Sequence, residues 1–266
     1  MTVLSVAVAG RGLVDPGEPV FYADDEALLR GRAAFETTRV YGGRPFMLDA
    51  HLDRLRASSA RLGLPEPDVE ECRRLAEQAI AAAAPDVALR LYWTGTALVA
   101  TTSTLDLRHD AMRERGIALR VERWSTGELA STKSTSYAEN MRAQDDAVAR
   151  GADDALLVAQ DDIVLECPTA NVWWRKGDLL FTPSLELPIL AGVTRAVVAA
   201  LYDGEVVEGV FPLADLLAAD EVFLSASNRE VMPVVTVDGR TIGDGKPGPA
   251  AQALQQALRR RATATL

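Results

Sequence analysis

The stretch GELASTKSTSYAENM (127–141) is the most informative part of the chain, and at its centre stands Lys133, one of three lysines. Serine and threonine flank Lys133, no other cation is adjacent to it, and a helix is predicted just after it. A lysine nucleophile must lose its proton, which a secluded site with polar neighbours can favour through a lowered pKa. Lys176 and Lys246 lie in the predicted turns RKGD and GDGKPG, where a solvated charge is the simplest interpretation. Because a lone loop lysine is usually a surface residue, the reactive Lys133 is a hypothesis that needs support from the rest of the chain.

The composition of the 266 residues excludes several classes of function. A net charge of −10 argues against a nucleic-acid or anionic-membrane partner, because phosphate binding needs concentrated positive charge. No apolar run approaches the ~20 residues that a membrane helix requires, and the N-terminus lacks a basic region before its apolar stretch, so a cytoplasmic protein is expected. The two cysteines and two histidines lack metal-ligand spacing, so no metal site is expected.

Strand and helix patterns both recur along the chain, and hairpins dominate, which predicts the α+β class in each half. The charged stretch TLDLRHDAMRER has little periodicity, so the connection between two domains is placed there. The predicted organisation is a small N-terminal domain (1–106), a linker (107–115) and a larger domain (116–266).

Several local elements are predicted from turn and capping residues. The Gly42-Gly43 turn is expected to join two strands, and Asp49 to cap the helix that follows them. Further hairpins are predicted around Asp161-Asp162 and around Lys176-Gly177.

Four segments that follow one another along the chain carry a resemblance to a known family. They are STKSTSY (131–137), LECPTANVWW (165–174), ILAGVTR (189–195) and FLSASNREVMPV (223–234). In this order and spacing they resemble the fold-type IV aminotransferases, which include D-amino-acid transaminases, branched-chain aminotransferases, (R)-amine transaminases and aminodeoxychorismate lyases. The resemblance implies a small N-terminal α/β domain and a larger, hairpin-rich C-terminal α/β domain. It also implies pyridoxal 5'-phosphate as cofactor and a homodimer with its active site near the interface.

By this resemblance Lys133 is the Schiff-base lysine and moves the proton between substrate and cofactor. Glu166 matches the carboxylate beneath the pyridine nitrogen, where an ion pair keeps that nitrogen protonated and lets the ring absorb electrons. Tyr137 matches a position that hydrogen-bonds the phenolic oxygen of the cofactor. Without the resemblance, Glu166 would be read as a surface carboxylate and Tyr137 as an ordinary amphipathic tyrosine.

The cofactor phosphate requires amide groups, hydroxyls and a cation. Val193 and Thr194 open a predicted helix, so free amides and the Thr194 hydroxyl are available for an anion there, although an ordinary helix start is equally compatible. The resemblance adds Ser227 and Arg54 as phosphate contacts and Leu190 as the apolar residue that packs on the ring.

The substrate-binding region departs from the family pattern. D-amino-acid transaminases hold the substrate carboxylate with a strand and loop reading roughly RGxxxRxH, whereas this chain has RLYWTGTALVATT and lacks that loop. The usual GDGVFE of the family is replaced by GRAAFE (31–36). This change introduces Arg32, two residues after Arg30, and retains Phe35. We expect one or more of Arg30, Arg32 and Arg90 to bind the substrate carboxylate, because a guanidinium suits bidentate carboxylate binding. Phe35 is expected to contact the substrate. In an arginine-rich chain a structural role for these arginines stays open.

The sequence therefore predicts a homodimeric, cytoplasmic transaminase that transfers the amino group of D-amino acids to a 2-oxo acid such as 2-oxoglutarate or pyruvate. (R)-amines are a further candidate donor class, and the partners are small molecules. The alternatives are an aminodeoxychorismate lyase, which eliminates pyruvate to give 4-aminobenzoate, and a branched-chain L-amino-acid aminotransferase. A non-catalytic binding protein is a third possibility, against which Lys133 and Glu166 together argue.

Overall fold

The computed structural model describes residues 2–125 and 127–264, and it divides into two compact units. The first unit comprises Met1–Asp106, Thr132–Tyr137 and Ala262–Leu266, and the second comprises Leu107–Ser131 and Ala138–Arg261. Each unit combines helices with a sheet, which confirms the predicted α+β class. No helix among the described residues combines the length and the apolar character needed to cross a membrane.

The first unit is built on one antiparallel sheet. Its described strands lie in the order β2-β1-β6-β5-β3-β4, with bounds β1 (Val3–Val8), β2 (Gly12–Val14), β3 (Ala34–Tyr41), β4 (Arg44–Pro45), β5 (Val87–Trp93) and β6 (Leu98–Ser103). Its helices are α1 (Glu26–Arg30), α2 (Leu48–Arg61) and α3 (Val69–Ala81). The core lies between one face of the sheet and helices α2 and α3, where Leu52, Leu55, Leu75, Leu89 and Leu91 are fully buried.

Strand β3 alternates between two environments, as a half-buried strand should. Ala34 and Val40 pack in the core beneath the helices, and Glu36 points to the same face, whereas Phe35 and Thr37 point to the opposite face. The predicted Gly42-Gly43 turn is confirmed between β3 and β4. Both glycines have positive φ values, 53° and 82°, that other residues rarely adopt.

The predicted helix cap at Asp49 is wrong. Helix α2 begins at Leu48 with Met47 as the N-cap, in a left-handed conformation and without a side-chain hydrogen bond. Asp49 lies instead in the first turn of the helix, where a negative charge interacts favourably with the helix dipole. The acidic residue was correctly associated with the helix start, but its role is electrostatic rather than capping.

The second unit contains a mixed parallel and antiparallel sheet. Its described strands lie in the order β11-β10-β9-β12-β13-β7-β8, with β14 paired to β13. The bounds are β7 (Ile117–Trp124), β8 (Asp154–Ala159), β9 (Asn171–Lys176), β10 (Leu179–Pro183), β11 (Val206–Gly209), β12 (Glu221–Ala226), β13 (Glu230–Val237) and β14 (Arg240–Thr241). The helices are α4 (Arg108–Arg115), α5 (Ala138–Ala149), α6 (Val193–Leu201), α7 (Leu213–Leu217) and α8 (Pro249–Thr263).

The two hairpins predicted in the second unit are both present. Strands β9 and β10 pair antiparallel across the Lys176-Gly177 turn, as expected. The chain also turns back at Asp161-Asp162, and residues 163–166 run antiparallel to β8. Around the bridge between Val158 and Val164, the Ala159 N–H donates to Ile163 C=O and the Leu165 N–H donates to Leu157 C=O.

The division into units also differs from the predicted domain boundaries. Residues 108–115, predicted as part of a linker, form helix α4 and group with the second unit. The segment Thr132–Tyr137, which lies within the predicted larger domain, groups with the first unit. Lys133 therefore belongs to the unit that contains β3 and α2.

Candidate active site

The main chain of Lys133 is attached to the start of β3. The Phe35 N–H donates to Lys133 C=O at 3.1 Å, and the Thr135 N–H donates to Ala33 C=O at 2.9 Å. Between these bonds, Ala34 and Ser134 form an antiparallel bridge. The segment thus behaves as a short additional strand on the sheet edge, and the backbone on both sides of the lysine is fixed.

Helix α2 holds the same segment through two side chains. The Lys133 N–H lies 3.2 Å from Ser58 Oγ, and Arg61 Nε donates to Thr132 Oγ1 at 2.9 Å. Ser58 and Arg61 are three residues apart and therefore share one helix face. With its backbone held by β3 and α2, the half-buried Lys133 can move only through its side chain.

The Lys133 ammonium lies against aromatic rings. Its Nζ is 4.4 Å from the ring centroid of Phe35 and 5.5 Å from that of Tyr137, and these two rings meet edge-on at 5.5 Å. Tyr92 stacks on Phe35 from β5, at 6.3 Å. A cation over an aromatic face is attracted by the ring quadrupole, which holds the amine at this position. Three residues singled out from the sequence (Lys133, Tyr137 and Phe35) are therefore in mutual contact.

On the opposite face of β3, the buried Glu36 carboxylate binds two side chains of α2. Arg54 donates to it through Nε (2.8 Å) and Nη2 (2.7 Å), and His51 Nδ1 lies 2.7 Å from Glu36 Oε2. Burial alone would raise the pKa of Glu36, but the hydrogen bonds and charges of Arg54 and His51 outweigh it and lower this pKa to about 2. Burial in turn lowers the pKa of His51. At neutral pH Glu36 is therefore ionised, and a neutral His51 donates to it through Nδ1.

The three candidate carboxylate-binding arginines are in different environments. Arg30 is exposed and pairs with Glu26 at 2.8 Å. Arg32 donates to Glu26 and, through Nε and Nη2, to the carbonyl oxygens of Leu62 and Gly63. Both arginines thus pair with Glu26 of α1, and Arg32 also binds carbonyl groups at the end of α2.

Arg90 is half-buried in the middle of β5. Its Nε is shielded from solvent and has no hydrogen-bond partner within residues 2–125 and 127–264. Arg90 is cross-strand from Thr37, two residues along β3 from Phe35. Strand alternation therefore places the Arg90 side chain on the sheet face that also carries Phe35 and Tyr92.

The turn between β5 and β6 spans only residues 94–97, in agreement with the missing loop inferred from the sequence. Thr94 closes it by accepting from the Ala97 N–H, and its Oγ1 donates to the buried Asp25 at 2.8 Å. Asp25 is also the N-cap of α1, so its carboxylate connects this turn to the helix that ends at Arg30.

In the second unit, Glu166 is held in a defined orientation. The Leu190 N–H lies 3.2 Å from both carboxylate oxygens, and Asn171 Nδ2 donates to Oε2 at 3.0 Å. Asn171 also donates to Leu190 C=O, and the Leu157 N–H of β8 donates to Glu166 C=O. Main chain and carboxylate are thus both fixed, and the half-buried carboxylate has a set direction.

Helix α6 begins next to this carboxylate. Gly192 is its N-cap, no side chain caps it, and Val193 and the buried Thr194 form its first turn. A Cβ at position 192 would overlap Asn171 Oδ1, which explains the glycine. Ser227 lies in the turn between β12 and β13. The first amides of α6 are therefore not capped by a side chain, and this helix start lies in the unit that also holds Glu166.

The sequence analysis missed four residues that hold the side chains described above in place, in the first unit around β3 and α2 and in the second unit around Glu166. Asn171 and Glu36 stand inside the quoted motifs LECPTANVWW and GRAAFE, but neither was singled out. His51 and Ser58 lie on the helix of Arg54, at spacings that share its face. Their spacing of three and four residues from Arg54 is the one sequence signal that could have identified His51 and Ser58.

Comparison with known proteins decides the family. The model of the family "Amino-transferase class IV" matches residues 33–237. The chain belongs to this family. The class IV aminotransferase is 33% identical to a bifunctional aminodeoxychorismate lyase / D-amino acid transaminase of Mycobacterium tuberculosis, over 86% of this chain and 90% of that one. It is 30% identical to a D-alanine aminotransferase of Listeria monocytogenes, over 92% and 91% of the two chains.

Solved structures agree with this assignment. A hypothetical aminotransferase from Mycobacterium tuberculosis in its PLP-bound form superposes with a TM-score of 0.90 at 28% identity, covering 98% of this chain and 100% of that chain. A branched-chain aminotransferase from Thermoproteus uzoniensis, solved with norvaline, gives a TM-score of 0.87 at 26% identity and covers 98% and 95%. The predicted fold-type IV architecture is confirmed.

The buried Glu36 should make the stability of the class IV aminotransferase depend on acid pH. Its pKa is about 2 in the folded chain against an ordinary 4.5, so its contribution is complete above about pH 4.5 and lost as pH falls towards 2. That difference corresponds to about 3 kcal/mol. In urea unfolding, Glu36→Gln should be less stable than wild type by roughly this amount at pH 7, and the gap should narrow below pH 4.5.

Glu66→Gln is the matched control, because Glu66 also binds an arginine (Arg56, 2.7 Å) but its side chain is 64% exposed. It should change the stability little at any of these pH values. A gap between wild type and Glu36→Gln that stays constant down to pH 3 would contradict the ionised, paired Glu36.

Proposed function

We propose that this class IV aminotransferase is a pyridoxal-phosphate-dependent transaminase that transfers the amino group of D-amino acids to a 2-oxo acid such as 2-oxoglutarate or pyruvate. The observation that carries the donor class is the 30% identity to a D-alanine aminotransferase over more than nine-tenths of both chains. (R)-amines are a further candidate donor class. The homodimeric state and the cytoplasmic location remain predictions from the sequence.

The side chains described above fit this cofactor chemically. A phosphorylated pyridinium needs an amine for attachment, a carboxylate for the ring nitrogen and an anion site for the phosphate. The chain supplies Lys133 on a fixed backbone, an oriented Glu166 and the uncapped start of α6. When bound, the cofactor supplies the electron sink that makes a proton on the substrate α-carbon removable.

We assign the attachment and the movement of the proton to Lys133. Because β3 and α2 fix its backbone, the amine moves only by side-chain rotation and returns to one position. Phe35 and Tyr137 form an aromatic wall beside that position. The Tyr137 hydroxyl is proposed to donate to the phenolic oxygen of the cofactor, and Phe35 to contact the substrate.

Glu166 is proposed to pair with the pyridine nitrogen and keep it protonated. Two N–H donors fix its carboxylate, so little reorganisation is needed when the ring arrives. Donors to a carboxylate also favour its charged form, which is the form that a pyridinium requires. Leu190, whose N–H holds Glu166, is proposed to pack on the ring.

The phosphate is proposed to contact the first amides of α6 at Val193 and Thr194, the hydroxyls of Thr194 and Ser227, and the guanidinium of Arg54. A helix N-terminus carries a partial positive charge and unsatisfied N–H groups, and here no side chain occupies them as a cap. A guanidinium adds a full charge with a fork that matches phosphate oxygens.

Arg90 is the arginine that we propose for the substrate carboxylate. Arg30 and Arg32 are engaged at α1, whereas Arg90 has a shielded Nε without a partner among the described residues. It also shares a sheet face with Phe35, over which the Lys133 amine lies. A carboxylate that leaves water needs such a cation, since its desolvation otherwise opposes binding.

The lyase alternative has its own support. The 33% identical relative in Mycobacterium tuberculosis is named for both lyase and transaminase activities. A lyase would use the same lysine and ring partner to eliminate pyruvate from aminodeoxychorismate, giving 4-aminobenzoate. The branched-chain alternative is supported by the structural likeness to the enzyme from Thermoproteus uzoniensis.

Product analysis with three substrates tests the proposed function. Beyond one equivalent per active site, the purified protein should form pyruvate from D-alanine only when 2-oxoglutarate is present, with glutamate in equal amount. L-leucine should react at least ten times more slowly, an expected difference of about 1.4 kcal/mol in the barrier. Pyruvate from aminodeoxychorismate without an acceptor, together with no reaction of D-alanine, would replace the proposal by the lyase. Faster turnover of L-leucine would favour the branched-chain alternative.

The role of Arg90 predicts a split between two donors. Arg90→Leu should lower kcat/KM for the half-reaction of D-alanine by about ten- to a hundredfold, the cost of one charged hydrogen-bonded contact. (R)-1-phenylethylamine has no carboxylate, so its half-reaction should be nearly unchanged. Arg30→Leu and Arg32→Leu are the matched controls and should leave both donors nearly unaffected. If one of these controls gives the split instead, that arginine binds the carboxylate, and the assignment of Arg90 is wrong.

A further inference from the structure

We propose that Glu36 is a positioning residue that sets the affinity of this protein for the cofactor phosphate by holding the Arg54 guanidinium. The inference rests on the proposed function, in which Arg54 contacts that phosphate. Glu36 lies on the core side of β3 and has no proposed contact with substrate or cofactor. Its influence would therefore act through Arg54.

The contact between Glu36 and Arg54 fixes the guanidinium in two ways. Arg54 donates through Nε to one carboxylate oxygen and through Nη2 to the other, at 2.8 and 2.7 Å. Two parallel N–H···O bonds fix both the position and the plane of a guanidinium, which a single bond does not. The side chain of Arg54 is 13% exposed, so one edge of it reaches the surface of the core.

His51 holds the carboxylate from its other side. Its Nδ1 lies 2.7 Å from Glu36 Oε2, and its ring is buried. His51 and Arg54 are three residues apart on α2, so the helix presents both to Glu36 at once. Glu36 therefore cannot follow Arg54 if the arginine turns towards solvent, and the arginine stays where the helix and the strand place it.

Two effects of Glu36 on phosphate binding oppose each other. Its negative charge partly cancels that of Arg54 and weakens the attraction for an anion. Its two bonds remove in advance the rotamer freedom that the arginine would otherwise lose on binding, and this strengthens phosphate binding. The orienting effect dominates, because phosphate recognition by arginine depends on the geometry of the fork, and without Glu36 nothing described on β3 would replace its two bonds.

The test compares ligands that differ only in the phosphate. Dissociation constants of pyridoxamine 5'-phosphate and pyridoxamine are measured by calorimetry on the full-length, cofactor-depleted chain, and their ratio is the phosphate selectivity. Glu36→Gln should lower this selectivity about three- to tenfold and leave the affinity for pyridoxamine unchanged. The exposed Glu66→Gln variant is the control and should retain the wild-type selectivity.

A double-mutant cycle with Arg54→Met shows whether the effect of Glu36 on phosphate selectivity depends on Arg54. Glu36→Gln should have no further effect on selectivity in the Arg54→Met background. This double variant also leaves no unpaired charge of the pair in the core, so it should fold even if Glu36→Gln does not. If Glu36→Gln does not fold, the phosphate selectivity is measured on Glu36→Asp, because its shorter side chain keeps the charge but cannot maintain both hydrogen bonds to Arg54.

The outcomes separate the two levels of the proposal. Unchanged or increased selectivity in Glu36→Gln or Glu36→Asp, or an equal loss in the Arg54→Met background, overturns the positioning role. Equal affinity of the wild type for the two ligands contradicts the phosphate contact of Arg54 and thus the proposed function itself. The ³¹P resonance of the bound phosphate gives an independent readout, and it should shift in Glu36→Gln but not in Glu66→Gln.

Discussion

The structure depends on the short pairing of the Lys133 segment with the start of β3. The carbonyl of Lys133 accepts from Phe35, and the amide of Thr135 donates to Ala33, so the lysine sits in a backbone ladder rather than in a flexible loop. The amide of Lys133 itself donates to the Ser58 hydroxyl of α2. The role that we propose for Lys133 requires its side chain to react repeatedly at one point. Such a side chain needs a backbone held to within a fraction of an ångström, and these bonds hold the backbone of Lys133 in place.

Two carboxylates illustrate how the same residue type serves different purposes. Glu36 is buried between a guanidinium and an imidazole, and its low pKa makes it a permanent anion of the core. Glu166 is half-buried and receives its orientation from a main-chain amide and from Asn171. The first stabilises the sheet–helix contact and holds Arg54, whereas the second is oriented but still accessible to a ligand. Environment, rather than residue type, separates the structural anion from the one that we propose for the pyridine nitrogen.

The sequence predicts the fold class correctly, and its ordered motifs point to Glu166, whose carboxylate the structure holds in a defined orientation. It does not reveal Asn171 or Glu36, because their importance comes from partners that only tertiary packing brings near. The membership of the Lys133 segment in the first unit was missed for the same reason, since its ladder bonds join residues about a hundred positions apart. The predicted linker (107–115) contains a helix because residues without apolar periodicity can still be helical when ion pairs such as Arg113 with Asp110 support them.

Reduction of the cofactor-loaded protein with borohydride tests the central claim that Lys133 carries the cofactor. The native protein should be yellow, and borohydride should fix a single pyridoxyl group that peptide mass spectrometry locates on Lys133. Lys133→Ala should lose this label and retain its fold, because the backbone bonds of the segment do not involve the side chain. A label on Lys176 or Lys246, or an unchanged label in Lys133→Ala, would contradict the account.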